Sequence, residues 1–243
     1  MNNNPNHPAA TVYRWEADEW LNHPQLDLGH GGFFASYHTN RPANPSTTLF
    51  GTGKPLKDAY QTWLKKPGPV AALAGDDDDQ EYVNECKRTV EWAERGFSEP
   101  LHAYLDLPYE DLKKSAKFIA PILDLDFLHI CLYVKVASKR VVELIQHQFP
   151  GEIEAIPVQF YNVKDIKQQF YALNVLQGIP KPDLLKQGLG KANIASVLVK
   201  SSVTKKFKRE DIAMSKALVT SFKTNGFRGM AAYPTYFSNL RVQ

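Results

Sequence analysis

Apolar residues recur along this chain with two different periods, and the changes of period mark out its elements. From Thr11 to Asn22, TVYRWEADEWLN, Tyr13, Ala17, Trp20 and Leu21 fall on one helical face; Thr11 can cap the helix and His23-Pro24 ends it. Residues 24–55 are rich in Gly, Pro, Asn and Ser around a short apolar core, Gly32-Phe33-Phe34-Ala35, and predict a strand or two with long loops. Residues 56–66 place Leu56, Ala59, Tyr60, Trp63 and Leu64 on one side of a helix that Pro67-Gly68-Pro69 should stop. A loop ending in Asp76-Asp77-Asp78-Asp79 leads to a helix near 79–95, with Tyr82, Cys86, Val90 and Ala93 on one face and Gly96 as its C-terminal stop.

Pro108 opens a further helix, PYEDLKKSAKFIA, with acids before lysines as the helix dipole favours, and Pro121 closes it. The next stretch, DFLHICLYVKV, alternates: positions 130, 132, 134 and 136 are apolar, and Cys131, Tyr133 and Lys135 stand between them. It predicts one long strand over 127–137. A strand over 151–161 and a helix over 163–177 carrying Val163, Ile166, Phe170 and Leu173 follow. After a Pro/Gly-rich loop, 194–204 alternates again as a strand. Residues 211–223 form a helix ended by Asn225-Gly226, and GMAAYPTYFSNLRV can be a last strand, interrupted by Pro234. The fold class expected is α+β, a twisted, mainly antiparallel sheet with flanking helices. No internal repeat or linker is evident, so residues 1–243 are expected to form one domain, with 1–10 disordered.

Charge changes the picture. A net +3 hides an asymmetry: residues 1–110 hold 9 Lys/Arg and 16 Asp/Glu, while 111–243 hold 20 and 10. The second half is therefore suited to an anionic partner. Its basic residues fall into three groups: Lys113, Lys114 and Lys117 on the predicted helix; Lys135, Lys139 and Arg140 at the end of the 127–137 strand; and Lys200, Lys205, Lys206, Lys208 and Arg209 after the 194–204 strand. Each alone reads as solvated surface. Together they fit lipid headgroups or nucleic acid. The lipid reading rests on attraction of about 1 kcal/mol per basic residue near an acidic leaflet. The nucleic-acid reading prefers interleaved aromatics, and VTKKFKRED offers only Phe207.

Catalytic motifs fail on inspection. LFGTGKPLK lacks the first Walker glycine, replaced by Thr48, and the magnesium-holding Ser/Thr, replaced by Pro55. His30-Gly31-Gly32-Phe33 resembles an oxyanion segment, but no Gly-x-Ser-x-Gly elbow accompanies it. The seven histidines do not sit at metal-binding spacings, and Asp76–Asp79 lacks the glycine and terminal Glu of a calcium loop. With two cysteines, Cys86 and Cys131, no disulfide framework is expected and a reduced, cytosolic setting is favoured. No run of 18 apolar residues occurs. No enzymatic activity, metal or cofactor is expected.

Glu110 to Ile145 matters as a unit: a lysine-bearing helix, a Pro/Asp-containing break, Leu132-Tyr133-Val134, then Val136 through Val141, Val142, Glu143 and Leu144. This order resembles the middle of the gasdermin pore-forming domain, and Ala232-Tyr233 in the tail is similar to that domain's closing strand. The length is similar to that of the fungal gasdermin-like cell-death proteins, without a repressor domain. The resemblance implies a gasdermin-like sheet and a protein that binds acidic phospholipids through Lys113, Lys114, Lys117, Lys139, Arg140, Lys205, Lys206, Lys208 and Arg209. It implies homo-oligomerisation into a membrane-permeabilising pore, with segments such as 127–137 and 194–204 long enough to extend into spanning hairpins. The protein would be cytoplasmic when inactive and at the plasma membrane when active. It would be triggered by an incompatible variant of the same protein, and nucleic acid would not be a partner. The other reading of the same residues is a soluble RNA- or nucleoprotein-binding module that uses the basic second half.

Overall fold

The computed structural model describes residues 12–17, 26–27, 49–105, 125–129, 134–160, 168–202, 205 and 207–235. The described strands are β1 (Val12–Ala17), β2 (Leu26–Asp27), β3 (Leu101–Leu105), β4 (Phe127–His129), β5 (Lys135–Ser138), β6 (Ile153–Phe160), β7 (Phe170–Val175), β8 (Gly178–Pro180), β9 (Ile194–Lys200), β10 (Phe207–Met214) and β11 (Met230–Thr235). The helices are α1 (Leu56–Trp63), α2 (Pro67–Ala74), α3 (Gln80–Glu94), α4 (Lys139–Gln148), α5 (Lys181–Gln187) and α6 (Lys216–Thr224). The class is α+β, as expected, but the strands form two sheets. One has the order β11-β1-β10-β9-β8 and the other β2-β3-β6-β7-β5-β4. Pairing is antiparallel except for β3 with β6 and β8 with β9.

Several expectations are corrected. The N-terminal segment over 11–22 holds a strand, not a helix, at 12–17. Val12 and Trp15 are buried on opposite faces of a central strand, a position that suits β-branched and aromatic side chains. Over 163–177, residues 170–175 are β7, a central strand in which Phe170, Ala172, Leu173, Asn174 and Val175 are buried. An apolar run buried on both faces imitates helical spacing. The helix over 56–66 ends at Trp63, ahead of Pro67-Gly68-Pro69 as expected, but Pro67 also opens α2 from its first turn, where a missing N–H costs nothing. The loop after 177 contains β8 and α5, and residues 211–214 belong to β10, so α6 starts only after Ser215. Pro234 lies within β11, the edge strand of this sheet among the described residues, where the outer side needs no N–H donor.

The stretch 127–137 is not one strand. Phe127 pairs with Ala137, Leu128 with Val136 and His129 with Lys135, antiparallel, so the chain folds back on itself as a hairpin. Val141 to Leu144, which the gasdermin resemblance places in a continuing strand, lie in α4, with Val141, Val142 and Ile145 buried.

The two sheets repeat one arrangement. In one, hairpin β4–β5 leads through α4 to β6, and β7 lies between β5 and β6. In the other, hairpin β9–β10 leads through α6 to β11, and β1 lies between β10 and β11. The match extends to single side chains. Asp126 precedes β4 and Asn193 precedes β9; Ser138 closes β5 and Ser215 follows β10. Ser138 N donates to Asp126 O at 2.7 Å and Ser215 N to Asn193 O at 2.8 Å. Ser138 Oγ donates to Asp126 Oδ1 at 2.7 Å and Ser215 Oγ to Asn193 Oδ1 at 2.9 Å. The halves also clasp each other reciprocally. Asp126 Oδ2 accepts from Arg228 N, just before β11, at 3.1 Å. Glu152, just before β6, accepts from the N–H groups of Asn193 and Ile194 at 2.9 and 3.0 Å. The repeat, absent from the sequence pattern, is therefore present in the backbone and its pins.

The core follows from this layering. One face of each sheet, with α4 and α6, shares a cluster centred on Trp15, Phe127, Ile145, Leu173, Ile212 and Phe222. Trp15 meets Phe127 edge-on at 5.0 Å between ring centres. The other face of the second sheet, through Val136, Ile156, Phe170 and Ala172, packs against α1–α3. The other face of the first sheet is covered by Leu184 of α5 over Ala195, Val197 and Ala213.

Candidate functional site

The basic residues that the structure gathers are those of β9 and β10. The root of this pair is core: Ile194, Ala195, Ser196 and Val197 on β9 and Ile212, Ala213 and Met214 on β10 are all buried. Burial then falls away along β9, through half-buried Leu198 and Val199 to exposed Lys200. The sheet ends in the same direction. β8 pairs with β9 only as far as Leu198, and β1 pairs with β10 only at Ala213 and Met214. Beyond these, among the described residues, the register continues between the two strands alone, Arg209 opposite Leu198, Lys208 opposite Val199 and Phe207 opposite Lys200. A two-stranded ribbon thus leaves the sheet. A register shift between Arg209 and Asp211 marks the exit; such a bulge adds twist and turns a ribbon away from its neighbours. Arg14 of β1 ion-pairs with Asp211 at this point.

At the tip, Lys205 is exposed and has φ 55°, a left-handed conformation rare for a side-chain-bearing residue, and its N–H donates to Ser201 O at 3.0 Å. From 199 to 209 there are five basic residues and no acid. Of the residues singled out in the sequence, Lys205, Lys208 and Arg209 belong to the ribbon, with Lys200. Lys206, Lys113, Lys114 and Lys117 lie outside the described residues. The bulge and the early end of the flanking strands have no sequence signal, because both depend on where other strands stop.

Lys139 and Arg140 occupy the first turn of α4 instead. Lys139 is exposed and sits 3.7 Å from Glu143 one turn on, a solvated pair of small worth. Arg140 is turned towards the other half. Its guanidinium lies 5.0 Å from the Phe227 ring centre, donates to Asn225 O at 3.3 Å and stands 3.8 Å from the buried Asp126 carboxylate. It serves the clasp between the halves.

The other chemical candidates are structural. The Gly51–Lys54 turn packs against β8: a Cβ at Gly53, φ +70°, would fall 2.3 Å from the Gly178 Cα. The Leu56 N–H at the start of α1, where a phosphate would bind in a nucleotide loop, is taken by the Glu154 carboxylate at 2.8 Å. Glu154 in turn accepts from Asn174 Nδ2 at 2.7 Å. Burial pushes the Cys86 thiol up to about 11, which keeps it protonated and poorly nucleophilic. Burial likewise raises Glu85 to about 7, with Arg88 opposing and Glu81 and Asp79 reinforcing. A shallow cleft of about 270 Å³ runs beside Gly151, Glu152, Leu176, Gln177, Leu189 and Lys191, but the Glu152 carboxylate is committed to Asn193 and Ile194. Among the described residues no His, Cys, Asp or Glu cluster could hold a metal ion, and no helix is long and apolar enough to cross a membrane. The His30-Gly31-Gly32-Phe33 segment and Cys131 lie outside the described residues. No family model, curated protein or solved structure matches this chain.

Proposed function

We propose that this chain is an RNA- or nucleoprotein-binding protein, not an enzyme, and that its contact element is the β9–β10 ribbon. The observation that carries the reading is the ribbon's polarity: an apolar root fixed in the core, and an end that extends past the described partner strands, with five basic residues and no acid in the sequence over 199–209 and Lys200 and Lys205 exposed. A rigid stem fixes where the charges stand, so they meet a phosphate backbone with little further loss of freedom. A two-stranded ribbon is also narrow enough to lie along a nucleic-acid groove or strand. Phosphate contacts of this kind supply affinity without sequence preference.

The second reading is the membrane-permeabilising, gasdermin-like one, with acidic phospholipids as partner and a move from cytoplasm to plasma membrane on activation by a variant of the same protein. The same basic tip favours it, because Lys200 and Lys205 are exposed and suited to headgroups. Against it, β9 and β10 have 7 and 8 residues, and their roots are locked in a central position of the sheet. A spanning strand needs about 9–11 residues, so conversion would require the core to open.

Fluorescence anisotropy with single-stranded RNA, run beside flotation and dye leakage with phosphatidylserine vesicles, separates the two. The expected result is salt-sensitive RNA binding that K200E/K205E abolishes, with no leakage. Leakage from the vesicles without RNA binding would replace this reading by the membrane one.

A further inference from the structure

Helix α2, PGPVAALA, contains no polar side chain. A helix apolar all round belongs in an interior. Here only part is covered: Pro69 and Ala72 are buried, while Pro67, Val70, Leu73 and Ala74 are exposed, with Val70 at 52% and Leu73 at 37%. These four lie at positions i, i+3, i+6 and i+7 and so form one stripe along the helix. The stripe runs directly into the chain's most acidic stretch. Residues 76–85 contain six acids and no base, and Asp76, Asp78 and Glu81 are exposed. At this end the apolar strip is bordered by negative charge alone, the composition of an interface core with one flank of its rim, while Lys65 and Lys66 stand at its opposite end.

The molecule itself carries the matching surface. The sequence of the ribbon and its tip holds five basic residues and no acid over 199–209, and Lys200 and Lys205 are exposed beside half-buried Val199. The exposed charges of the two stretches are complementary in sign, Asp76, Asp78 and Glu81 on one and Lys200 and Lys205 on the other. We propose that the apolar face of α2, with the acidic stretch beside it, docks the β9–β10 ribbon of a second copy of this chain. The contact joins two different surfaces, so copies associate head to tail and, where the rotation does not close a ring, extend as a chain. Because the occupied ribbon is the element assigned above to RNA, self-association and RNA binding compete. RNA dissolves the assembly and high salt weakens it. The contact itself stands on surface composition and does not require the RNA reading to hold.

Sedimentation velocity of the full chain, over a wide concentration range at low and high salt, tests this. The expected result is concentration-dependent association at low salt, lost at high salt. D76K/D78K and K200E/K205E, both changes of exposed residues, each weaken it roughly tenfold or more through like-charge contact. Mixing the two variants gives heterodimers, because one acidic face and one basic ribbon remain complementary across the mixture. A V70S/L73S variant weakens association at both salt levels. A chain that stays monomeric at every concentration, or that associates equally in all variants, overturns the proposal. The RNA reading fails separately, if K200E/K205E abolishes association but leaves RNA binding intact.

Discussion

The two halves of this protein share a scaffold and differ in what the scaffold holds. Each has a hairpin, a helix and a parallel strand beyond an intervening antiparallel one, and each closes its hairpin with an Asx–Ser pair. In the first half the pair is Asp126–Ser138, buried and beside Arg140, and its two members are 12 residues apart. In the second it is Asn193–Ser215, and its members are 22 residues apart, so this hairpin is the longer. The lesson is a division of labour. A charged pin makes the first half the firmer clasp, while the longer hairpin of the second half is free to leave the sheet and carry the basic tip. Ser215 also caps α6 through Leu218 N, whereas Ser138, its hydroxyl committed to Asp126, leaves the start of α4 without a side-chain cap.

The contrast can be broken most directly at the pins. Asp126→Ala strips Ser138 Oγ and Arg228 N of their acceptor inside the protein and leaves Arg140 without its carboxylate. A loss of about 3 kcal/mol in urea unfolding is expected, from two donors left without their charged acceptor. Asn193→Ala, a neutral and partly buried equivalent, should cost about 2 kcal/mol. Equal losses would mean that the charge adds nothing to the first clasp.

The glycines before β11 and β6 sharpen the same comparison. Gly229 and Gly151 have φ of 97° and 78°, so an alanine at either is strained by about 1 kcal/mol. At Gly229 the new Cβ would also lie 2.7 Å from the Phe127 carbonyl oxygen; at Gly151 nothing stands within 4 Å. Gly229→Ala should therefore cost about 3 kcal/mol and Gly151→Ala about 1 kcal/mol. Similar melting temperatures for the two variants would refute the close packing of the first half against the turn before β11.

The helical unit α1–α3, which neither half duplicates, has its own signature in pH. Glu85 is raised from 4.5 to about 7 by burial, so the folded protein holds this proton more tightly than the unfolded chain. Its contribution to stability is complete below about pH 4.5 and is lost as pH rises through about 7. With solvent screening of a partly exposed group, the loss should be about 1 kcal/mol. Thermal melts of the wild type and Glu85→Gln across that interval should diverge by this amount; parallel curves would exclude Glu85 as the source.

Much of the fold was legible locally. Helix α1 follows from the spacing of Leu56, Ala59 and Trp63, and α3 begins where the Asp76–Asp79 loop ends, the Asp79 side chain accepting from Glu81 N and Tyr82 N. The face of α3 was turned by one residue, with Val83, Cys86, Thr89 and Trp92 inward. Gly96 and Gly226 end helices as expected, both at positive φ. What failed was the interior. β1 and β7 are short apolar runs buried on both faces, which carry no alternation to tell strand from helix. The chain reversal within 127–137 was hidden because the residues on both sides of it are apolar. The Asx–Ser pins were not legible, since nothing local ties Asp126 to Ser138 or Asn193 to Ser215. The ribbon's lysines were visible as a charge run, but their free-standing position depends on where β1 and β8 stop.

The claim that the ribbon is the nucleic-acid contact is tested most directly by the salt dependence of RNA affinity. Each phosphate contact to a single strand adds about 0.7 to the slope of log affinity against log salt. Neutralising Lys200 and Lys205 to alanine should therefore lower that slope by about 1.4 and weaken binding at every salt concentration. An unchanged slope and affinity would contradict the account.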